Sequence, residues 1–143
     1  MSVMMPDYAA AVVAHLRAQS AVLAFAPSAR IAMHIPDSAD MPENWIIVSP
    51  AGGRGPIGRS PYLSARLDVM TYGVTGYEAM RGARIVAGVL TPPGRSTRIR
   101  QLDCVIAEVA MEAGFIRLQT PREGWPYVAT PYALTVLREA VPA

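Results

Sequence analysis

The chain contains no lysine: all thirteen of its basic residues are arginine. It has one cysteine, Cys104, and two histidines, His15 and His34. A lone cysteine excludes an internal disulfide and any multi-cysteine zinc site. Charge is scarce, at 17% of residues against the roughly 25% usual in soluble domains. The net charge of +2 is too small for a protein that holds nucleic acid by bulk electrostatics. The uncharged run over residues 18–29 is broken by Gln19, Ser20 and Pro27, and it falls far short of the about 20 apolar residues that span a bilayer. The first seven residues, Met1 to Asp7, lack the positive n-region of a signal peptide, so synthesis in the cytosol is expected.

What is present points to contact with other macromolecules. At 143 residues and 52% hydrophobic composition, the chain is expected to form a single domain over residues 1–143 with a core of its own. A surface this poor in charge suggests that part of it is covered by partners. Arginine supplies a planar donor fork suited to carboxylates and phosphates. The densest non-core stretch, residues 50–61, reads Pro-Ala-Gly-Gly-Arg-Gly-Pro-Ile-Gly-Arg-Ser-Pro and lies between two strand-like segments. It is expected to be a long structureless insertion, ordered on assembly, with Arg54 and Arg59 meeting acidic partner groups.

Periodicity predicts the elements. Asp7 caps a helix over residues 8–25 with Val12, Leu16, Gln19 and Leu23 on one side, ended by Pro27. Residues 30–35 alternate as a strand, residues 36–44 form a polar connection, and residues 45–48 are a short buried strand. The clearest strand is 62–72, with Leu63, Ala65, Leu67 and Val69 on one face and Ser64, Arg66 and Asp68 on the other. Thr75 and Glu78 have the spacing of a capping box and open a helix over 76–90, whose apolar stripe is Ala79, Met80, Ala83, Val86, Ala87 and Leu90. Residues 98–112 fit a helix or a strand; strand is favoured, because the C-terminal strands need a partner and Gly114 then makes a turn or bulge. Residues 115–118 form a short strand and 120–124 a turn. A last strand, 125–137, is broken near Pro131, which argues for a sheet edge or a bulge. This order predicts an α+β fold: an antiparallel sheet with an N-terminal and a second helix on one face, and a long loop between the second and third strands. No internal repeat is visible.

The inventory for catalysis is thin. His15, His34, Cys104 and Asp103 make a thiol-protease-like set only on paper, and Cys104 is expected to be buried and inert. Asp68, Asp103, Glu108 and Glu112 have no metal-ligand spacing. The glycines of residues 52–58 lack the Gly-Lys-Ser/Thr ending and following helix of a phosphate loop. Arg98 and Arg100 share a strand face and, with Arg54, Arg59 and Arg95, could form a basic surface or be scattered solvated charges. Trp125, Tyr127 and Tyr132 are either core residues or the anchors of an interface.

Taken together, the N-terminal helix leading to Ala29-Arg-Ile31, the approach Pro42-Glu-Asn-Trp-Ile-Ile-Val48, the extended loop, Ala65-Arg-Leu-Asp-Val69 with its helix, and Gly124-Trp-Pro-Tyr-Val-Ala-Thr-Pro-Tyr-Ala-Leu-Thr-Val136 cover most of the chain. In this layout the chain resembles the tail terminator (tail completion) proteins of long-tailed bacteriophages and gene transfer agents. The resemblance implies a structural protein of the virion, with no catalysis and no cofactor. It implies a homo-hexameric ring on the head-proximal end of the tail tube, which stops tube growth and joins the neck. Its partners would be other copies of itself, the tail tube protein and a neck protein, with genomic DNA only passing through the lumen and no membrane. Another neck protein or a tube subunit is the alternative. The interface residues expected from loop and edge positions are Arg54, Ile57, Arg59, Arg98, Arg100, Trp125 and Tyr127.

Overall fold

Asp7 opens the first helix, its carboxylate accepting the Ala10 amide at 3.0 Å. In this computed structural model, which describes residues 5–53, 55–56, 58, 60–95, 97–119 and 124–138, helix α1 (Tyr8–Arg17) buries Ala9, Ala11, Val12, Val13 and Leu16. The single helix expected to residue 25 breaks instead at Ala18–Gln19. Gln19 takes an extended backbone, its side-chain amide donates to the His15 carbonyl at 3.3 Å, and a short helix α2 (Ser20–Leu23) follows. The break turns Val22, Phe25 and Ala26 into the core and leaves Leu23 41% exposed. Burying a phenylalanine outweighs the one or two helical hydrogen bonds given up.

The strand expected over 30–35 is also shorter. A 3₁₀ turn (Ser28–Arg30) leads into β1 (Ile31–Ala32), and Met33 beyond it is exposed. β1 runs parallel to β2 (Trp45–Pro50), with Ile31 opposite Ile46. Parallel neighbours require a crossover, so residues 33–44 leave the sheet and return to the start of β2. The Arg17 Nε donates to the Ile31 carbonyl at 2.9 Å, which blunts this edge.

β3 (Gly55–Pro56) and the long β4 (Tyr62–Tyr72) follow, then helix α3 (Gly76–Leu90), β5 (Ile99–Gln101), β6 (Cys104–Met111), β7 (Ile116–Gln119) and β8 (Pro126–Leu137). The strand order is β1-β2-β4-β8-β6-β5, with β3 also on β4 and β7 also on β8, and every pairing except β1 with β2 is antiparallel. The fold is α+β, as the sequence predicts, and the ambiguous residues 98–112 form a β-hairpin. Leu63, Ala65, Leu67 and Val69 of β4 face the same side as Val136, Leu134, Tyr132 and Thr130 of β8, and α1 and α3 cover that side.

The topology repeats where the sequence shows no repeat. Each half runs helix, short edge strand, then a hairpin whose first arm is in two pieces: β2 and β3 against β4, and β6 and β7 against β8. The order therefore reads the same from either edge, about the β4–β8 pair.

Pro131 does not mark an edge, since β8 is central and unbroken. Its polar backbone faces β6, where its carbonyl accepts the Glu112 amide at 3.0 Å, and this is where the chain jogs from β6 to β7. The missing N–H thus falls at an interruption of the neighbouring arm, the one interior place a sheet tolerates proline.

In α3 the Thr75 hydroxyl accepts the Glu78 amide at 3.2 Å, the first half of the expected capping box. The Glu78 carboxylate turns elsewhere: it takes Arg81 at 2.9 Å and the Asn44 side chain at 3.4 Å. Gly82, outside the expected stripe, is buried because the Phe25 ring lies on it, and an added Cβ would come within 2.4 Å of that ring.

Candidate assembly surfaces

The Gly/Pro/Arg stretch is not a structureless loop over its described length. After β2 the Ala51 amide donates to the Arg66 carbonyl at 2.9 Å, and the Arg66 amide donates to the Gly52 carbonyl at 2.8 Å. β3 then pairs with β4, Gly55 opposite Ser64 and Pro56 opposite Leu63. The stretch is one arm of a long hairpin, carried past a kink at Gly52 and Gly53. Gly53 has φ +122°, and a Cβ there would lie 2.7 Å from the Ala65 Cα. Only glycine allows the backbone that close. The hairpin end is tied to β8, since the Arg138 amide donates to the Pro61 carbonyl at 2.7 Å and its guanidinium to the Gly58 carbonyl at 2.8 Å. Arg54, Ile57 and Arg59 lie outside the described residues. The pattern missed the arm because Gly and Pro are poor strand formers; what holds them is the β4 backbone, not side-chain periodicity.

At the β5 end of the sheet, Arg98 and Arg100 are both exposed while Ile99 between them is buried under α1, so the two arginines share a face as expected. Leu102 and Asp103 link β5 to β6 in a two-residue turn. Leu102 has φ +57°, a left-handed conformation that glycine or asparagine normally fills, and its side chain is 59% exposed. For a β-carbon residue that conformation costs about 1–2 kcal/mol. The fold therefore presents an apolar knob in a strained setting at a sheet edge. Periodicity would place Leu102 on the apolar face with Cys104 and Ile106; the turn carries it out to solvent instead, while those two are buried.

The aromatics divide. Tyr132 is fully buried in the centre of the sheet, a core residue and not an interface anchor. Burial alone pushes its phenol up, and among the described residues neither its hydroxyl nor that of buried Thr130 has a hydrogen-bond partner. Tyr127 is half-buried and stacks on Tyr72, ring centroids 5.0 Å apart and planes 24° apart. Trp125 is half-buried just before β8. The edge position expected for Tyr127 is corrected, because β7 flanks this end of β8 on one side and β4 on the other, and Trp125 lies just ahead of the strand. Val74 and Tyr77, at the start of α3, are 54% and 75% exposed and were not singled out by the sequence pattern.

The groups capable of chemistry do not converge. Cys104 is buried at the start of β6, while exposed His34 follows β1, four strands away in the strand order. His15 is half-buried on α1, and burial lowers its pKa. Glu112 pairs with Arg66 at 2.8 Å across β8. Among the described residues, no group of three or more His, Cys, Asp or Glu side chains could hold a metal ion. Also among them, no helix is long and apolar enough to cross a membrane.

Cys104 is buried, as expected from the sequence. Burial first, then the charges of Asp103 and Asp7, push its thiol up to about 11. Since the thiolate is the nucleophile, native protein at pH 8 is expected to resist a thiol reagent by at least about a hundredfold relative to urea-unfolded protein. Equal labelling rates in the two states, followed by mass spectrometry, would contradict this burial.

The sequence matches no family model and no curated protein. The fold is similar to that of a chain in the solved structure "Virion of native gene transfer agent (GTA) particle". The superposition has a TM-score of 0.66 at 10% identity and covers 89% of this chain and 92% of that one. The likeness is one of fold along nearly the full length of both.

Proposed function

We propose that this chain is a structural protein of a phage-like particle, a tail terminator that forms a hexameric ring on the head-proximal end of the tail tube. The observation that carries the reading is the fold shared end to end with a chain of a gene transfer agent virion. A fold hosts many functions, so the surface has to agree. An edge with exposed arginines and a strained apolar knob suits repeated contact between subunits, and the long hairpin arm suits contact along the particle axis. In this role the ring ends tube polymerisation and offers its other side to a neck protein. DNA passes through the lumen without sequence-specific contact, and no catalysis or cofactor is required.

The test is removal of the gene from its particle-producing host, with particles viewed by negative-stain electron microscopy. Tails of uncontrolled length, unattached to heads, are expected, and supplying the full chain should restore joined particles. Normal-length tails without the protein would refute a terminator role. Stacking of the protein along the whole tail would make it a tube subunit instead.

A further inference from the structure

The two ends of the strand order differ in charge, in backbone and in exposed apolar groups. At the β5 end, Arg95, Arg98 and Arg100 are exposed, opposed over that stretch by Asp103 alone. Gln101 and Cys104 close the two-residue turn, so Arg100, one step back, aims its N–H and carbonyl away from β6. Among the described residues β5 ends the sheet, and no strand there takes those groups. Leu102 stands exposed beside them.

The β1 end is the complement. Its connection, residues 33–44, carries exposed Asp37 and Asp40, while Glu43 is engaged by Arg30 at 3.3 Å and by the Trp45 indole at 3.0 Å. Arg17, the nearby cation, is held on the Ile31 carbonyl. Met33 there is 40% exposed.

We infer that these two ends are the halves of one contact between copies of this chain. The β5–β6 turn of one subunit docks on residues 33–44 of the next, setting Arg98 and Arg100 against Asp37 and Asp40 and Leu102 against Met33. Within one chain the two edges stand at opposite ends of the strand order, with α1 packed against both. A contact joining two different surfaces repeats from copy to copy and makes a ring when the rotation between copies closes, the geometry that the ring reading requires. The strain at Leu102 is then the price of presenting the knob. This inference rests on the ring reading above and adds which surfaces make the ring.

The test uses the full chain and native mass spectrometry at low and at physiological salt, with circular dichroism to show that each variant is folded. Wild type is expected to form a closed oligomer. Arg98→Glu with Arg100→Glu, and separately Asp37→Arg with Asp40→Arg, should each weaken association at least tenfold. An equimolar mixture of the two should reassemble with alternating subunits, because every contact then meets opposite charge. Leu102→Asn should weaken association tenfold yet raise the Tm of the isolated subunit by a few degrees, asparagine tolerating the left-handed turn. Oligomers that are unaffected by the swaps, or folded variants that do not reassemble on mixing, would overturn the edge contact and leave the ring reading standing. Wild type that is monomeric both in solution and on tails would overturn the ring reading and this contact with it.

Discussion

Gly73→Ala is expected to cost at least about 3 kcal/mol, read as a fall of roughly 10 °C or more in the Tm. Gly73 is the corner between β4 and α3, and its amide donates to the Pro126 carbonyl at 3.3 Å. A Cβ at this position would sit 2.3 Å from the Ala79 amide nitrogen, 2.7 Å from the Glu78 carbonyl carbon and 2.8 Å from the Thr75 carbonyl oxygen. All three are backbone atoms of the first turn of α3, so no side chain can rotate away. The helix would have to lift off the sheet. That motion would pull on the Thr71 hydroxyl, which donates to the Ala79 carbonyl at 3.0 Å, and on the packing of Ala79 and Ala83 against Val128. Gly88 is the control: it lies in the same helix, and its Cβ would meet nothing within 4 Å. Gly88→Ala should be neutral or stabilising by up to about 1 kcal/mol, since alanine is the better helix former. Equal Tm values for the two variants would contradict the corner geometry.

Asn44→Ala is expected to cost about 2 kcal/mol, from hydrogen bonds to three separate elements. Its side-chain amide donates to the Phe25 carbonyl at 3.1 Å and to Glu78 at 3.4 Å, and its oxygen accepts the Val74 amide at 3.2 Å. One residue ahead of β2 thus ties the end of α2, the corner after β4 and the first turn of α3. Asn44→Asp should not rescue, because it keeps the acceptor for Val74 but loses both donors and places a second carboxylate beside Glu78. Urea melts of the three proteins check this; an aspartate variant as stable as wild type would contradict it. The same cluster carries a pH signature. Hydrogen bonding to Arg81 holds the Glu78 carboxyl below its ordinary 4.5, despite opposing desolvation. A lowered folded-state pKa gives stability that is present above the unfolded value and lost as pH falls through the folded one. Stability should therefore drop below pH 4.5, and Glu78→Gln should flatten that part of the curve.

Much of the fold was legible in particular residues. Alternation in 62–72 marks β4 and the face it buries, and the stripe from Ala79 to Leu90 marks α3. Asp7 and Thr75 stand at the caps they predict, and Cys104 is as buried as a lone free thiol suggests. Each of these signals is local, because a period of two or 3.6 and a cap spaced three residues away are written within a few turns of chain. The candidate contact surface was half legible. The shared face of Arg98 and Arg100 follows from their spacing, but Leu102 does not, since nothing about a leucine announces a left-handed turn.

Sequence by itself thus determined which segments are helix or strand in the well-patterned stretches, which side of each faces the core, and a surface poor in charge. Tertiary structure decided the rest. It broke the first helix at Gln19 to seat Phe25, drew the Gly/Pro arm into the sheet along the β4 backbone, placed Pro131 in a central strand opposite a jog, and put Tyr132 in the core. It also set the strand order, which brings arginines to one edge and aspartates to the other. The physical reason is common to all of these: they depend on which backbone lies alongside, and pairing partners distant in the chain leave no periodicity of their own.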